Sequence, residues 1–258
     1  MVSNGKVIIA SGGRIICVGD LHGCYEEAIE LLDACKLTPK DVVVFLGDLV
    51  DRGPENAKCV DLAMRHECIL GNHEEKHLQY RRVEEQGHVP HVVASTHVET
   101  RNQLRPEHYE YFKTLPLFIR FPEHNAVAVH AGVYPGRPIE AQDPNHLLHI
   151  QMINPPDKAS KWPSKAPEGW KFWSNFWDGP EKVIFGHSVI TKPLITDKVV
   201  GIDGGAVFGY ELWAYEMPSG KVYSVRGKQN HGQGRRGRPT DGNNISTYLI
   251  HGDVGTYS

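Results

Sequence analysis

At 258 residues the chain is long enough for one large domain with a substantial core and short for two. Hydrophobic residues make up 40% and charged residues 23%, the ordinary balance of a folded globular protein, and no stretch approaches the roughly 18 apolar residues of a membrane span. The formal net charge of -3 supplies no global attraction to nucleic acid or to an anionic membrane, so neither is expected as a partner.

Met1 to Ala10 has no basic region followed by a long apolar run, which argues against a secretory signal and for a cytoplasmic protein. Asn4-Gly5 and Ser11-Gly12-Gly13 punctuate a short strand there, expected to form a hairpin with the next. Arg14 to Val18 reads as a buried strand and ends in Gly19-Asp20-Leu21-His22-Gly23. Tyr25 to Lys36 follows, with Tyr25, Ala28, Ile29, Leu32 and Cys35 at helical spacing. Val42 to Leu46 is a second apolar run and leads into Gly47-Asp48-Leu49-Val50-Asp51-Arg52-Gly53. Pro54 then opens a helix whose stripe is Ala57, Val60, Ala63 and Met64. A third run, Cys68 to Leu70, ends in Gly71-Asn72-His73-Glu74.

Strand, helix, strand, helix, strand is the order of a parallel sheet with right-handed crossovers. Loops at the carboxyl ends of neighbouring strands share one crevice, which would gather Asp20, His22, Asp48 and Asn72. The flanking glycines allow sharp turns beside these side chains, and positive φ is expected at some of them. His130 and His187 also follow apolar runs, Ala126 to Val129 and Val183 to Phe185, and bring the candidates to six. A dinuclear centre needs about that many ligands, one of them a carboxylate shared by both ions. Alone, Asp20, His22 or Asp48 is more often a turn residue or a cap; in order and after strands they point to a two-metal phosphoester hydrolase.

The three blocks, with His130-Ala-Gly and Gly186-His187, resemble the metallophosphoesterase signature of the phosphoprotein-phosphatase superfamily, from about Arg14 to Val225. His130 to Gln142 followed by Leu147-Leu148 is similar to the bacterial-type branch related to diadenosine tetraphosphatase, more than to eukaryotic protein phosphatases. The resemblance implies an α/β calcineurin-like fold, two mixed β-sheets in a sandwich flanked by α-helices, over residues 1–225, with 226–258 as a Gly/Arg-rich extension. It implies two divalent metal ions, Asp20 and His22 on one, Asp48 bridging, and Asn72, His130 and His187 on the other. Such a donor set accepts Mn, Fe, Zn or Ni, with Mn the first expectation. A hydroxide held between the ions would be the nucleophile. His73 would protonate the leaving oxygen, with Asp51 orienting its ring. Arg52 would clamp phosphoryl oxygens with its planar fork, with Asn72 beside it. Related sequences often carry an arginine where this chain has Gln151, which loses the charge; Arg137 is the candidate substitute.

Cysteines 17, 24, 35, 59 and 68 lack a Cys-x-x-Cys pair and read as reduced core thiols, with Cys24 beside the first block a candidate oxidation-sensitive position. Glu84 to Leu117 is polar and weakly helical, an insertion beside the site, and His88, His91, His97 and His108 within it are expected on the surface. Trp162, Trp170, Trp173 and Trp177, with Phe172 and Phe176, either pack a small helix on which Trp173 and Trp177 share a face, or form a platform that stacks a nucleobase. Past Val225 the basic run Arg235 to Arg238 reads as a solvated loop and Ile245 to Ile250 as a last strand.

The leading expectation is phosphomonoester hydrolysis, on phosphoserine or phosphothreonine in a protein or on a small phosphate ester. Hydrolysis of dinucleoside polyphosphates is the close alternative, because the branch resemblance points there and the tryptophans allow it. A metal-retaining binding scaffold without turnover is the alternative of another class, opposed by the presence of His73, Asp51 and Arg52 together.

Overall fold

The computed structural model describes residues 5–92 and 94–231. The chain runs through β1 (Gly5–Val7), β2 (Ile15–Val18), α1 (Tyr25–Cys35), β3 (Val42–Phe45), α2 (Asn56–Ala63), β4 (Glu67–Cys68), α3 (Asn72–Glu85), α4 (Ser95–Gln103) and α5 (Pro106–Thr114). It continues through β5 (Phe118–Phe121), β6 (Ala126–Val129), α6 (Pro144–His149), β7 (Met152–Asn154), β8 (Asp157–Lys161) and β9 (Lys171–Phe172). Last come β10 (Lys182–Phe185), β11 (Leu194–Ile195), β12 (Val199–Gly201), β13 (Glu211–Met217) and β14 (Val222–Arg226).

The motif-bearing strands β2, β3 and β4 pair in parallel, as the order of elements requires, with Cys17 opposite Val44 and Val44 opposite Glu67. Antiparallel β13 and β14 complete this five-stranded sheet on the β2 side. A second, six-stranded sheet runs β1-β5-β6-β10-β12-β11 and is also mixed: β6, β10 and β12 are parallel, β5 is antiparallel to β6 but parallel to β1, and β11 is antiparallel to β12. The expected sandwich of two mixed sheets is therefore present. A small antiparallel sheet, β8-β7-β9, was not foreseen.

Side-chain alternation divides the core. Ile15, Cys17, Val44 and Leu46 turn into the sandwich, against Val127, Val129, Ile184 and Val200 of the second sheet. Ile16, Val18, Val43 and Phe45 point the other way, into a core shared with Ala28, Leu31, Leu32 and Cys35 of α1 and Cys59, Val60 and Ala63 of α2. Both faces of β2 and β3 are thus buried, each full side chain stabilising the fold by roughly 1.5–3 kcal/mol, so the loops at their ends stand on a rigid base. The buried stripe of α1 is turned slightly from the one read in the sequence, with Leu31 wholly buried and Tyr25 and Ile29 at its margin.

Three local expectations need correction. β1 makes no hairpin with β2; it pairs in parallel with β5 in the opposite sheet, Lys6 facing Ile119, because Ile8 and Ala10 behind it are buried in the inter-sheet core. Trp173 and Trp177 share no helix: β9 and a single 3-10 turn at Trp173–Asn175 replace it, and each indole is fixed in the core separately, Trp173 Nε1 donating to the Ala131 carbonyl (3.1 Å) and Trp177 Nε1 to that of Glu181 (3.0 Å). His97 and His108 are not surface residues, because α4 and α5 pack back on α2 and α3; His108 is fully buried with Nε2 3.1 Å from Asp61 Oδ1, whereas His88 and His91 are exposed.

All five cysteines are buried free thiols, and burial pushes the Cys24 thiol up, away from reactivity. Beyond β14 the chain stays attached, the Lys228 N–H donating to Glu27 Oε1 (2.9 Å) and the His231 N–H to the Val207 carbonyl (2.8 Å). The Arg235 to Arg238 run and the strand expected at Ile245 to Ile250 lie outside the described residues. No helix among the described residues is long and apolar enough to cross a membrane.

Candidate metal centre

Loops after β2, β3, β4, β6 and β10 converge where the two sheets meet, and each of the six expected ligands stands on one of them or, for Asn72, on the first residue of α3. Asn72 Oδ1 lies 2.8 Å from His130 Nε2 and 2.9 Å from His187 Nδ1. Asp48 is central: Oδ1 is 3.4 Å from His130 Nε2 and Oδ2 is 3.5 Å from His22 Nε2. Asp20 accepts the His187 backbone N–H through both oxygens, at 3.0 and 3.1 Å. Ring orientation is set from behind, His22 Nδ1 against the Val50 carbonyl (2.8 Å) and His130 Nδ1 against that of Leu46 (2.7 Å), so both Nε2 atoms face the cluster.

Backbone geometry makes this convergence possible. Gly23 and Gly47 have the expected positive φ, but so do His22, Asp48, Asp51, Arg52 and His187, which lack glycine's freedom. Gly71 and Gly186 are required for close approach instead: a Cβ at Gly71 would stand 2.2 Å from the Asp48 nitrogen, and one at Gly186 would stand 2.1 Å from Asp20 Oδ1. Glu74 pins the second block to the third, accepting the N–H groups of Asp48 (2.9 Å), Leu49 (2.8 Å) and Gly71 (3.1 Å).

The electrostatics fit a pair of divalent cations. Burial, with Asp203 and Asp48 close by, holds the Asp20 carboxyl well above its ordinary range. Burial holds His22, His130 and His187 below theirs, in the neutral form that donates to a metal. Asp203 is a member the sequence reading did not pick out; it is buried, its carboxyl pushed up to about 7 by burial, and its Oδ2 has no hydrogen-bond partner among the described residues, nor has His187 Nε2. Carboxylates crowded in this way, with buried lone pairs unsatisfied, call for positive charge. Three triads among the described residues, His22-Asp48-His73, Asp48-His130-His187 and Asp51-His73-His97, have donor atoms close enough to hold an ion, and the first two share Asp48. Chemically this is a mixed imidazole, carboxylate and amide set of the kind that binds first-row divalent metals.

Beside the cluster, His73 Nδ1 lies 2.5 Å from Asp51 Oδ2, leaving Nε2 toward the centre, 3.8 Å from Asp48 Oδ2. Burial alone would lower the His73 imidazole, but Asp48 and the Asp51 hydrogen bond outweigh it and raise it. The Arg52 guanidinium reaches in, Nη1 against His22 Nε2 and Nη2 3.2 Å from His73 Nε2, with Phe208 packed on it at 5.7 Å. Arg137 lies apart, its guanidinium over the Tyr134 ring (6.0 Å) and its carbonyl accepting from Gln142 Nε2 (3.0 Å). Gln151 is buried at the start of the small sheet, its N–H on Ser160 Oγ (2.8 Å). Two neighbours went unnoticed in the sequence: His149, whose ring lies 6.3 Å from that of His187, and His77, whose Nε2 is 2.8 Å from Asp51 Oδ1. His149 carried no motif; His77 was legible only as the residue one helical turn beyond His73.

Residues 13–225 match the calcineurin-like phosphoesterase family. Among curated proteins the chain is 27% identical to a bis(5'-nucleosyl)-tetraphosphatase PrpE [asymmetrical] of Oceanobacillus iheyensis, over 84% of this chain and 93% of the relative. It is also 27% identical to the protein of that name from Halalkalibacterium halodurans, over 82% and 93%. A crystal structure provisionally named a diadenosine tetraphosphatase superposes with a TM-score of 0.76 at 29% identity, over 88% of this chain and 99% of its own. Matched across most of its length and carrying the ligand clusters that metal-dependent chemistry needs, the chain belongs to the calcineurin-like phosphoesterase family, in its bacterial-type branch related to diadenosine tetraphosphatase.

Proposed function

We propose that this protein is a dinucleoside polyphosphate hydrolase of the diadenosine tetraphosphatase type. The observation that carries the reading is the likeness, over more than four-fifths of the chain, to relatives named as tetraphosphatases. This favours the dinucleotide alternative over the phosphoprotein activity with which the motifs alone lead. A structural feature supports it: Trp162, just past β8, is half-buried with its ring 5.9 Å from that of His187, at the edge of the cluster, where an indole face can stack a base.

In this reading Asp20, His22, Asp48, Asn72, His130 and His187 would hold two divalent ions, which when bound would supply positive charge to the phosphate oxygens and a water acidic enough to attack near neutral pH. Arg52 opposes the charge of the phosphoryl oxygens as the bond to the leaving group lengthens, its guanidinium steadied by the Phe208 ring. His73 keeps Nδ1 on Asp51 and offers Nε2 to the departing oxygen. Trp162 holds one base so that the phosphate chain lies across the cluster.

The test is phosphate-chain cleavage by Mn-loaded protein on diadenosine tetraphosphate and on a phosphoserine peptide, with Asp48→Asn as the inactive control. Trp162→Ala is expected to raise KM for the dinucleotide roughly 5- to 100-fold, the worth of one stacked base, and to leave the peptide unaffected. Preference for the peptide would return the phosphomonoesterase reading, and metal binding without turnover of either would return the scaffold.

A further inference from the structure

The Asp51 carboxylate is surrounded by more imidazole than pairing with His73 requires. Oδ2 takes His73 Nδ1 at 2.5 Å, Oδ1 takes His77 Nε2 at 2.8 Å, and His97 Nε2 stands 3.3 Å from Oδ2. Asp51 and His77 are fully buried and the His97 side chain is 14% exposed. His97 reaches this position from α4, in the polar insertion, and is itself held: Tyr80 Oη lies 3.0 Å from its Nδ1. Its ring meets that of His73 nearly at right angles, centroids 5.8 Å apart, and that of His77 at 5.5 Å. The helix that carries it is tied to α2 by the Ala57 N–H on Gln103 Oε1 (3.4 Å) and to α3 by the Arg101–Glu84 ion pair.

From this geometry we infer that His97, together with His77, positions Asp51 and through it His73, so that the α4 insertion is part of the catalytic apparatus. The inference rests on the reading of His73 as the acid that protonates the leaving group. A carboxylate can hold an imidazole in one tautomer and one orientation only if it is held itself. Asp51 has a left-handed backbone (φ 72°), with its own N–H on Asn56 Oδ1 (2.7 Å), and a short side chain free to turn about χ1 and χ2 unless both oxygens are engaged. His77 fixes one oxygen. His97 Nε2 stands against the other, Oδ2, beside the His73 Nδ1 that bonds it, so that imidazoles flank the carboxylate at both oxygens. His77 is fully buried and His97 largely so, and both act as positioning residues.

Phenyl phosphate and p-nitrophenyl phosphate distinguish this role from a structural one, because phenoxide needs a proton as it leaves and p-nitrophenoxide does not. With Mn-loaded full-length protein, His97→Ala is expected to lower kcat for phenyl phosphate roughly tenfold or more, to leave kcat for p-nitrophenyl phosphate and both KM values near wild type, and to retain bound Mn. His97→Gln, whose amide nitrogen reaches as far as Nε2, restores the lost rate; His97→Asn, which is too short, does not. Equal loss on both esters, or no loss on either with the melting temperature unchanged, overturns the inference. His73→Ala is run in parallel. If it fails to discriminate between the esters, or if wild type turns over neither, the acid assignment falls and this inference falls with it; if His73→Ala discriminates and His97→Ala does not, only the inference falls.

Discussion

In the proposed function the roles of a few side chains separate by leaving group. A serine alkoxide must be protonated as it departs, whereas a departing nucleotide phosphate is a stable anion with a second pKa of about 6. His73→Ala is therefore expected to cost roughly 10²- to 10⁴-fold on a phosphoserine peptide and far less on diadenosine tetraphosphate, with metal content retained. Phosphate release on the two substrates, with metal analysis of the same samples, checks this; equal losses would mean that His73 serves the metal centre rather than the leaving group. Asp20, His22, Asp48, Asn72, His73, His130 and His187 were legible together, because they stand in or beside glycine-marked blocks that recur in order after apolar strands. Asp203 and His97 were not. Their importance comes from what lies near them in the fold: Asp20 for the first, Asp51 for the second.

Among the elements, strand-end loops decide how tightly the cluster is drawn. The turn after β10 passes so close to β2 that only a hydrogen fits on Gly186. Gly186→Ala is expected to push the Asp20 carboxylate aside and to weaken metal binding roughly 10- to 100-fold, as loss of a supporting contact does, with the sheets intact. Calorimetric Mn titration reads the affinity and far-ultraviolet circular dichroism the fold; unchanged affinity would show that Asp20 is not a ligand. Strands β2 and β3 and helix α1 followed their local patterns, since apolar periodicity is enforced by burial on both faces of the sheet; in α2 Val60 and Ala63 are buried as expected, but Cys59 and Leu62 share that face and Met64, just past the helix end, is exposed. β1 and the tryptophan region did not. Each is a short segment whose partner lies more than a hundred residues away or in an unforeseen sheet, so local pattern had nothing to pair it with.

Across the whole molecule, the centre sits where the two sheets meet. Asp20, Asp48 and Asn72 come from the five-stranded sheet and its helix, and His130 and His187 from the six-stranded one. Ions held by the residues proposed above would therefore tie the halves of the sandwich together, so that unfolding would have to release them. Removing metal with a chelator is expected to lower the melting temperature; restoring Mn to about a hundred times its dissociation constant adds back about 2.7 kcal/mol, a shift of several degrees at this chain length. Thermal melts of stripped and reloaded protein measure it, and an Asp48→Asn variant that shifts as much as wild type would place the ions elsewhere.

The sequence by itself placed six candidate ligands at strand ends, because that depends on local signals, apolar runs that must be buried and glycines where the chain must turn or approach closely; the family and the sandwich were expected from the resemblance those motifs carry. Only the tertiary structure decided that Asp203 lies near Asp20, that Arg137 packs on Tyr134, that the Trp162 ring meets that of His187, and that His97 reaches Asp51. Those contacts join residues far apart in the chain, and their geometry is fixed by how whole elements pack, which no spacing along the sequence encodes.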